Sequence, residues 1–404
     1  MDFIVGTFNH SVLYTLHFTP PSPTTKKEAS LTLLRDHPAV AGHSWLSCSP
    51  DKKYLYATAW TKPQPSVAAY RIKSSGREIQ FLNARHVRAL PGYVCANSTH
   101  LFSVGGPTGE VFRLEADGGI GPLVQELDFV TGQGENVSEK RGEVAHGSFG
   151  GLRHGSHSVD LSPDGSKLYV ADIGRNCIWT YAVTKTRDMS EKPLSKLKKV
   201  MSTREGDGPR HVWPHPGGKV VYCLQEHTSM VDVFAVAEGE EGTGLEFKQA
   251  VKIIPAEEDV KKYWADEVRV STGPDPMKPR YLYASTRGLE AKTKGWVAVF
   301  KLGDDGLLAS EETLHIWQTP TSGGLANAIE PAPWVKGKED DVEYLAVTDS
   351  EEGWVFMLSF DGKQICEVAR LNLGKTDEGN VVGCATAVWL GDSKGGNVEF
   401  FRHR

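Results

Sequence analysis

Apolar residues along this chain fall in short alternating runs rather than in helical stripes. Residues 3–7 (FIVGT), 12–18 (VLYTLHF), 54–58 (YLYAT), 167–172 (KLYVAD), 219–223 (KVVYC), 281–287 (YLYASTR) and 344–349 (YLAVTD) are examples. Between the runs stand turn formers, such as SPD at 49–51, SPDG at 162–165 and HPGG at 215–218. Extended runs punctuated by Pro, Gly and Asp predict consecutive short antiparallel strands, and hence an all-β chain.

The runs recur as a unit. Tyr56, Tyr169, Tyr222, Tyr283 and Tyr344 hold equivalent places, and the copy around Phe102 falls within the first interval. One unit spans somewhat over fifty residues and carries about four strands, the signature of a β-propeller blade. Six internal copies plus the two chain ends give a seven-bladed β-propeller. The closing blade is expected to join residues 3–7 to C-terminal strands at 386–390 and 398–401. No blade can bury both faces alone, so residues 1–404 are expected to form a single domain. Residues 20–27 and the Gly-rich, charged stretch 131–152 read as loops.

Composition then narrows the function. The chain has 404 residues with 42 Gly and 22 Pro, long enough to bury a large core without staples. A net charge of −6 gives no reason to expect nucleic acid or an anionic membrane as partner. No stretch approaches a membrane span and no signal sequence is evident, so a soluble, cytoplasmic protein is expected. The six cysteines (Cys48, Cys95, Cys177, Cys223, Cys366, Cys384) lie far apart with no zinc-like spacing and read as reduced thiols. No P-loop, HExxH or GxSxG motif occurs, and neither metal nor cofactor is implied. Glu257, Glu258 and Asp259 read as solvated surface, and residues 238–244 as a charged loop. Homo-oligomer formation is left open.

Four residues at strand ends stand out: His157, Arg210, Glu226 and Arg287. They come from three consecutive blades, whose inner strands converge on a central channel. Arg210 follows Gly-x-Gly-Pro, which fixes its direction. Each also has a plainer reading. An arginine at a strand end is commonly an ion-pair partner, a glutamate its counter-charge, and a histidine a hydrogen-bonded core residue. His154, His211, His215 and His227 dilute the signal. Asp51 and Asp164 form turns. His211, Glu267, His154 and Asp172 are the candidates for substrate binding around the four.

The segments HSVDLSPDGSKLYVADIG (157–174), GPRHVWPHPGGKVVY (208–222) and YLYASTRG (281–288) resemble the lactonase-type seven-bladed propeller family. That family includes bacterial 6-phosphogluconolactonases and fungal carboxy-cis,cis-muconate cyclases. The resemblance spans essentially the whole chain. The C-terminal third leans to the cyclases through TPTSGG (319–324), Asn327-Ala328, Pro333-Trp334 and TDSEEGW (348–354), as do Gly6-Thr7 and Ser44-Trp45. Pro209-Arg210-His211 is more similar to the lactonase branch. The resemblance implies a cyclase site made of a His, an Arg, a Glu and a second Arg, matching His157, Arg210, Glu226 and Arg287. It further implies a small carboxylate substrate, 3-carboxy-cis,cis-muconate, lactonised within aromatic catabolism by the β-ketoadipate route. The arginines would hold carboxylates, and His157 or Glu226 would deliver or remove the proton. A glutamate beside arginines is expected to stay ionised, which favours His157 as the acid and leaves Glu226 to orient an arginine. Lactone hydrolysis in the same pocket is the alternative, and a non-catalytic protein-binding platform is a third.

Overall fold

The computed structural model describes residues 1–22, 26–60, 64–129, 155–184, 192–237, 244–334 and 341–391, apart from the side chains of 196 and 197. Within them the alternating runs form seven four-stranded antiparallel sheets, six of which run from an inner to an outer strand in chain order. Blade 2 is Leu46–Cys48, Tyr54–Ala59, Ser66–Lys73 and Glu78–His86. Blade 3 is Tyr93–Ala96, His100–Gly105, Thr108–Leu114 and Ile120–Asp128. Blade 4 is Ser156–Leu161, Lys167–Asp172, Cys177–Val183 and Leu194–Met201. Blade 5 is Pro209–Pro214, Val220–Gln225, Met230–Val236 and Leu245–Lys252. Blade 6 is Tyr263–Val270, Tyr281–Gly288, Trp296–Lys301 and His315–Gln318. Blade 7 is Ile329–Pro331, Glu343–Thr348, Trp354–Phe360 and Ile365–Asn372.

Blade 1 is built from both chain ends. Its inner strand is Cys384–Trp389, followed by Asp2–Thr7, Val12–Thr19 and Ser30–Pro38. The pairs Phe3–Trp389, Ile4–Val388 and Val5–Ala387 make the junction. One C-terminal strand and three N-terminal ones therefore complete this blade. Residues 398–401, expected as a further strand, lie outside the described residues, as does the stretch 131–152. Each inner strand touches the inner strand of the next blade, and that of blade 7 touches that of blade 1. The ring is thus closed by packing between blades, with the inner strands sheltered as edges around the channel and the outer strands as the exposed edges. Gly6 is required at the junction, because a Cβ there would come within 2.3 Å of the His43 carbonyl.

The core lies between blades, where neighbouring sheets face one another. One cluster joins Tyr56, Phe102 and Leu168 from blades 2, 3 and 4. The recurring tyrosine bridges blades as well. Tyr222 donates to the Gly306 carbonyl at 2.6 Å and Tyr283 to Glu343 Oε2 at 2.9 Å, each reaching the following blade. A buried phenol must place its hydroxyl, and these two place theirs across the blade boundary; blade 3 carries Phe102 at this position. All six cysteines are free thiols. Among the described residues, no helix is long and apolar enough to cross a membrane.

Phe3 is fully buried against Trp389, with ring centroids 4.5 Å apart across the closing seam. Phe3→Ala should therefore cost about 3–5 kcal/mol of unfolding free energy. The check is urea denaturation, in which the ring is expected to unfold in one transition with a lowered midpoint and an unchanged slope.

Candidate active site

The inner strands share an irregularity that builds the site. In blade 4, Ser156 pairs with Asp172 and Ser158 with Ala171, leaving His157 as an extra residue between them. In blade 5, Pro209 pairs with Gln225 and His211 with Leu224, leaving Arg210. In blade 6, Ala265 pairs with Thr286 and Glu267 with Ser285, leaving Asp266. In blade 1, the same shift leaves Ala385. A β-bulge redirects the side chain of its extra residue. All four extra residues line one pocket at this end of the channel, together with Ser44, Trp45, Gly92, His211 and Arg287, under a rim that includes Phe8, Trp60 and Leu325. The pocket occupies about 490 Å³ including its open mouth.

Local structure aims these side chains. Gly208, with φ of +73°, precedes Pro209, and a Cβ there would strike the His227 ring at 2.5 Å. The Glu226 amide donates to the Gly208 carbonyl at 2.8 Å, and the Ala265 amide donates to the Glu226 carbonyl at 2.8 Å. Glu226 is thereby pinned between blades 5 and 6, directly beside both arginines.

His157, Arg210, Glu226 and Arg287 do meet. Glu226 Oε2 lies 3.3 Å from Arg210 Nε, and Oε1 lies 3.8 Å from Arg287 Nη2. Asp266 Oδ1 lies 2.9 Å from Arg210 Nη2 and 3.7 Å from Arg287 Nε. Two guanidiniums and two carboxylates therefore form a compact buried cluster. Arg210 also donates through Nη1 to the Asp266 carbonyl, and Arg287 through Nη1 to the Gly324 carbonyl at 3.0 Å. The Arg287 guanidinium packs on Trp264, 5.0 Å from its ring centre. Glu226 is 1% exposed and does not line the pocket; it holds the arginines from behind.

His211 forms part of the floor. Arg210 Nη1 donates to its Nε2 at 3.0 Å, so the ring proton resides on Nδ1 and is donated to Glu267 Oε1 at 2.8 Å. Trp45 and Tyr93, stacked at 3.8 Å, meet the His211 ring edge-on at 5.1 and 5.4 Å. Glu267 sits below the floor and is also paired with Arg269 Nη1 at 2.5 Å. Asp172 is placed away from the pocket. It accepts from Trp179 Nε1 and the Arg175 amide, both at 2.9 Å, and so tightens a turn of blade 4. His154 lies outside the described residues.

Burial dominates the electrostatics. It pushes the Glu226 carboxyl up to about 7, against the pull of Arg210 and Arg287. It raises Asp266 in the same way, again against Arg210 and Arg287, with Glu267 adding to the rise. Burial, followed by the Arg210 charge, His211 and Arg287, holds His157 well below its ordinary value, so its imidazole is neutral. Burial also pushes Glu267 up to about 7. The expectation that a glutamate beside arginines stays fully ionised underrated desolvation, which here outweighs the neighbouring cations.

Sequence reasoning passed over Asp266, though a signal was present. His157, Arg210 and Asp266 each stand two residues before a buried valine, Val159, Val212 and Val268. The aromatic floor of Trp45 and Tyr93 carried no such mark, because aromatic residues in a β-repeat are core by default.

The family model described as lactonase, 7-bladed beta-propeller, matches residues 2–320. Muconate cycloisomerase 1 of Cutaneotrichosporon cutaneum is 41% identical over 395 residues, covering 96% of this chain and 98% of that protein. The carboxy-cis,cis-muconate cyclase of Neurospora crassa is 24% identical over 392 residues, covering 92% and 95%. The periplasmic gluconolactonase of Pseudomonas aeruginosa superposes with a TM-score of 0.73 at 19% identity, covering 96% of this chain and 99% of that one, which speaks to fold alone. The closed ring of seven four-stranded blades and the match over most of its length make this chain a member of the lactonase family of seven-bladed β-propellers.

Proposed function

We propose that the protein is a lactonising cycloisomerase that converts 3-carboxy-cis,cis-muconate to a carboxymuconolactone in aromatic catabolism. The observation that carries this reading is the convergence of Arg210, Arg287 and His157 on one cavity. Similarity to a muconate cycloisomerase over nearly the whole chain supports the same choice.

The chemistry fits the residues. One substrate carboxylate oxygen bonds to an alkene carbon. The π pair moves toward the conjugated carboxyl as an aci-carboxylate, and the adjoining carbon then gains a proton. The attacking group belongs to the substrate and the electron sink is its own carboxyl, so the reaction as written calls on no cofactor and no protein nucleophile. Among the described residues lining the cavity the one hydroxyl, Ser44 Oγ, is engaged with Thr58 Oγ1 at 2.8 Å. Guanidiniums suit this task because they grip carboxylates through paired N–H groups and stabilise the charge that develops on them. His157 forms a neutral wall of the pocket, and Glu226 sets the two arginines.

The test follows the conjugated diene. Its ultraviolet absorbance should be lost when carboxymuconate meets the protein, and Arg287→Lys, which keeps the charge but not the fork, should lower kcat/KM by about 10²–10³-fold. Acid release from an added lactone with no bleaching of the muconate would point to hydrolysis instead. A protein-binding platform would show neither reaction.

A pH effect follows from Glu226. Below about 7 its carboxyl is protonated and leaves the arginines one counter-charge fewer. As pH rises through that value it ionises and competes with the substrate for them. KM is therefore expected to rise on the alkaline side of about 7, and Glu226→Gln should flatten that rise in a steady-state pH series.

A further inference from the structure

We infer that Asp266 is a catalytic residue of this cavity, the carboxyl that hands a proton to the substrate carbon after the substrate's carboxylates have displaced it from its arginines. This role rests on the lactonisation proposed above.

Position comes first. Among the described residues that line the cavity, the titratable ones are His157, Arg210, His211, Asp266 and Arg287, and Asp266 is the one carboxyl. It occupies the bulge of the strand Tyr263–Val270, which lets adjacent acidic residues face the channel: Asp266 toward the arginines, Glu267 toward His211 and Arg269. Its two oxygens are not equivalent. Oδ2 accepts from the Asn327 amide of blade 7 at 2.9 Å, which fixes the carboxyl plane. Oδ1 points at Arg210 and Arg287 and makes no well-aligned hydrogen bond there, so charge alone holds it.

The other lining groups are poor proton donors. Guanidiniums stay protonated throughout. The His211 proton is committed to Glu267, and its other nitrogen accepts from Arg210. His157 is neutral, and giving up its remaining N–H would leave an imidazolate. Glu226 has a suitable acidity but sits behind the arginines.

Charge supplies the trigger. With Glu226 and Asp266 ionised, the two guanidiniums are fully matched. A substrate with three carboxylates adds negative charge to this dry cluster and takes over Arg210 and Arg287. Asp266 then faces Glu226, Glu267 and the new carboxylates with its cations shared, across from neutral His157. A carboxylate so placed gains a proton. Burial already biases Asp266 that way. The proton comes from solvent on binding and leaves on the product carbon. The attacking carboxylate becomes the lactone ester, so the product carries one negative charge fewer than the substrate, and Asp266 returns to its ionised state for the next cycle.

The test uses Asp266→Asn, which keeps shape and the Oδ contact but carries no transferable proton, alongside Glu226→Gln and the wild type. Asp266→Asn should lower kcat by about 10²–10⁴-fold, whereas Glu226→Gln should act mainly on KM. Benzene-1,2,4-tricarboxylate serves as an unreactive probe. Its binding to the wild type should take up about one proton, read by calorimetry in buffers of different ionisation heat, and the uptake should fall in Asp266→Asn while affinity holds or improves. Circular dichroism and the melting temperature establish that the variant is folded. Should it misfold, the proton count on Asp266→Glu, expected to keep the uptake, decides in its place. A wild type that leaves carboxymuconate unbleached overturns the proposed reaction. A wild type that bleaches it, beside an Asp266→Asn variant within about fivefold in kcat or with undiminished proton uptake, overturns the role of Asp266 and leaves the reaction standing.

Discussion

Two guanidiniums buried this deeply need company. Arg210 and Arg287 are buried at the inner end of blades 5 and 6, and Glu226 and Asp266 are the groups that let them remain there. Taking one member from such a cluster leaves a bare charge in a dry place, at a cost of about 3–5 kcal/mol. The remainder of the ring can be viewed as the means of holding four charged side chains from distant parts of the sequence within a few ångströms. The cross-blade hydrogen bonds of Glu226 and Asn327 tie blades 5, 6 and 7 at the level where the charges lie. A cluster that is matched in the empty protein must be partly undone by an anionic ligand, which couples binding to protonation.

Beneath the pocket the contacts continue along the channel axis. Arg210 donates to His211, His211 to Glu267, and Glu267 pairs with Arg269. Arg269 in turn pairs with Glu330 at 2.9 Å and rests on Trp213, 4.1 Å from its ring centre. Neutral His211 is the hinge of this series. It accepts on one nitrogen and donates on the other, so it can join a guanidinium above to a carboxylate below without carrying charge itself. That placement explains why burial and two flanking arginines keep it unprotonated.

Much of the architecture was legible in the chain. Alternating runs and a recurring tyrosine announce four-stranded blades, and the partial copies at the two ends announce closure through Phe3 and its neighbours. The meeting of His157, Arg210, Glu226 and Arg287 was legible too, through the resemblance more than through position. Asp266 was not, because it sits within a buried acidic pair where Glu267 looked equally suited, and only the bulge separates their tasks. Asp172 was misleading for a related reason. A buried aspartate at a strand end invites a functional reading, whereas here it caps a turn and satisfies an indole N–H. The acidity order of Glu226 and His157 depends on depth of burial, which no local pattern records.

The bulges have an evolutionary corollary. Two positions before the buried inner-strand residues Leu46, Val94, Val159, Val212, Val268, Ile329 and Ala387 stand Ser44, Gly92, His157, Arg210, Asp266, Asn327 and Ala385. Where the bulge is present, the extra residue is excused from the strand ladder, and its identity is free of the demands of pairing. Small residues at Ser44, Gly92 and Ala385 leave room on one side, while imidazole, guanidinium and carboxyl crowd the other. A scaffold with seats of this kind can trade one reaction for another by exchanging a handful of side chains, leaving blade register and core untouched.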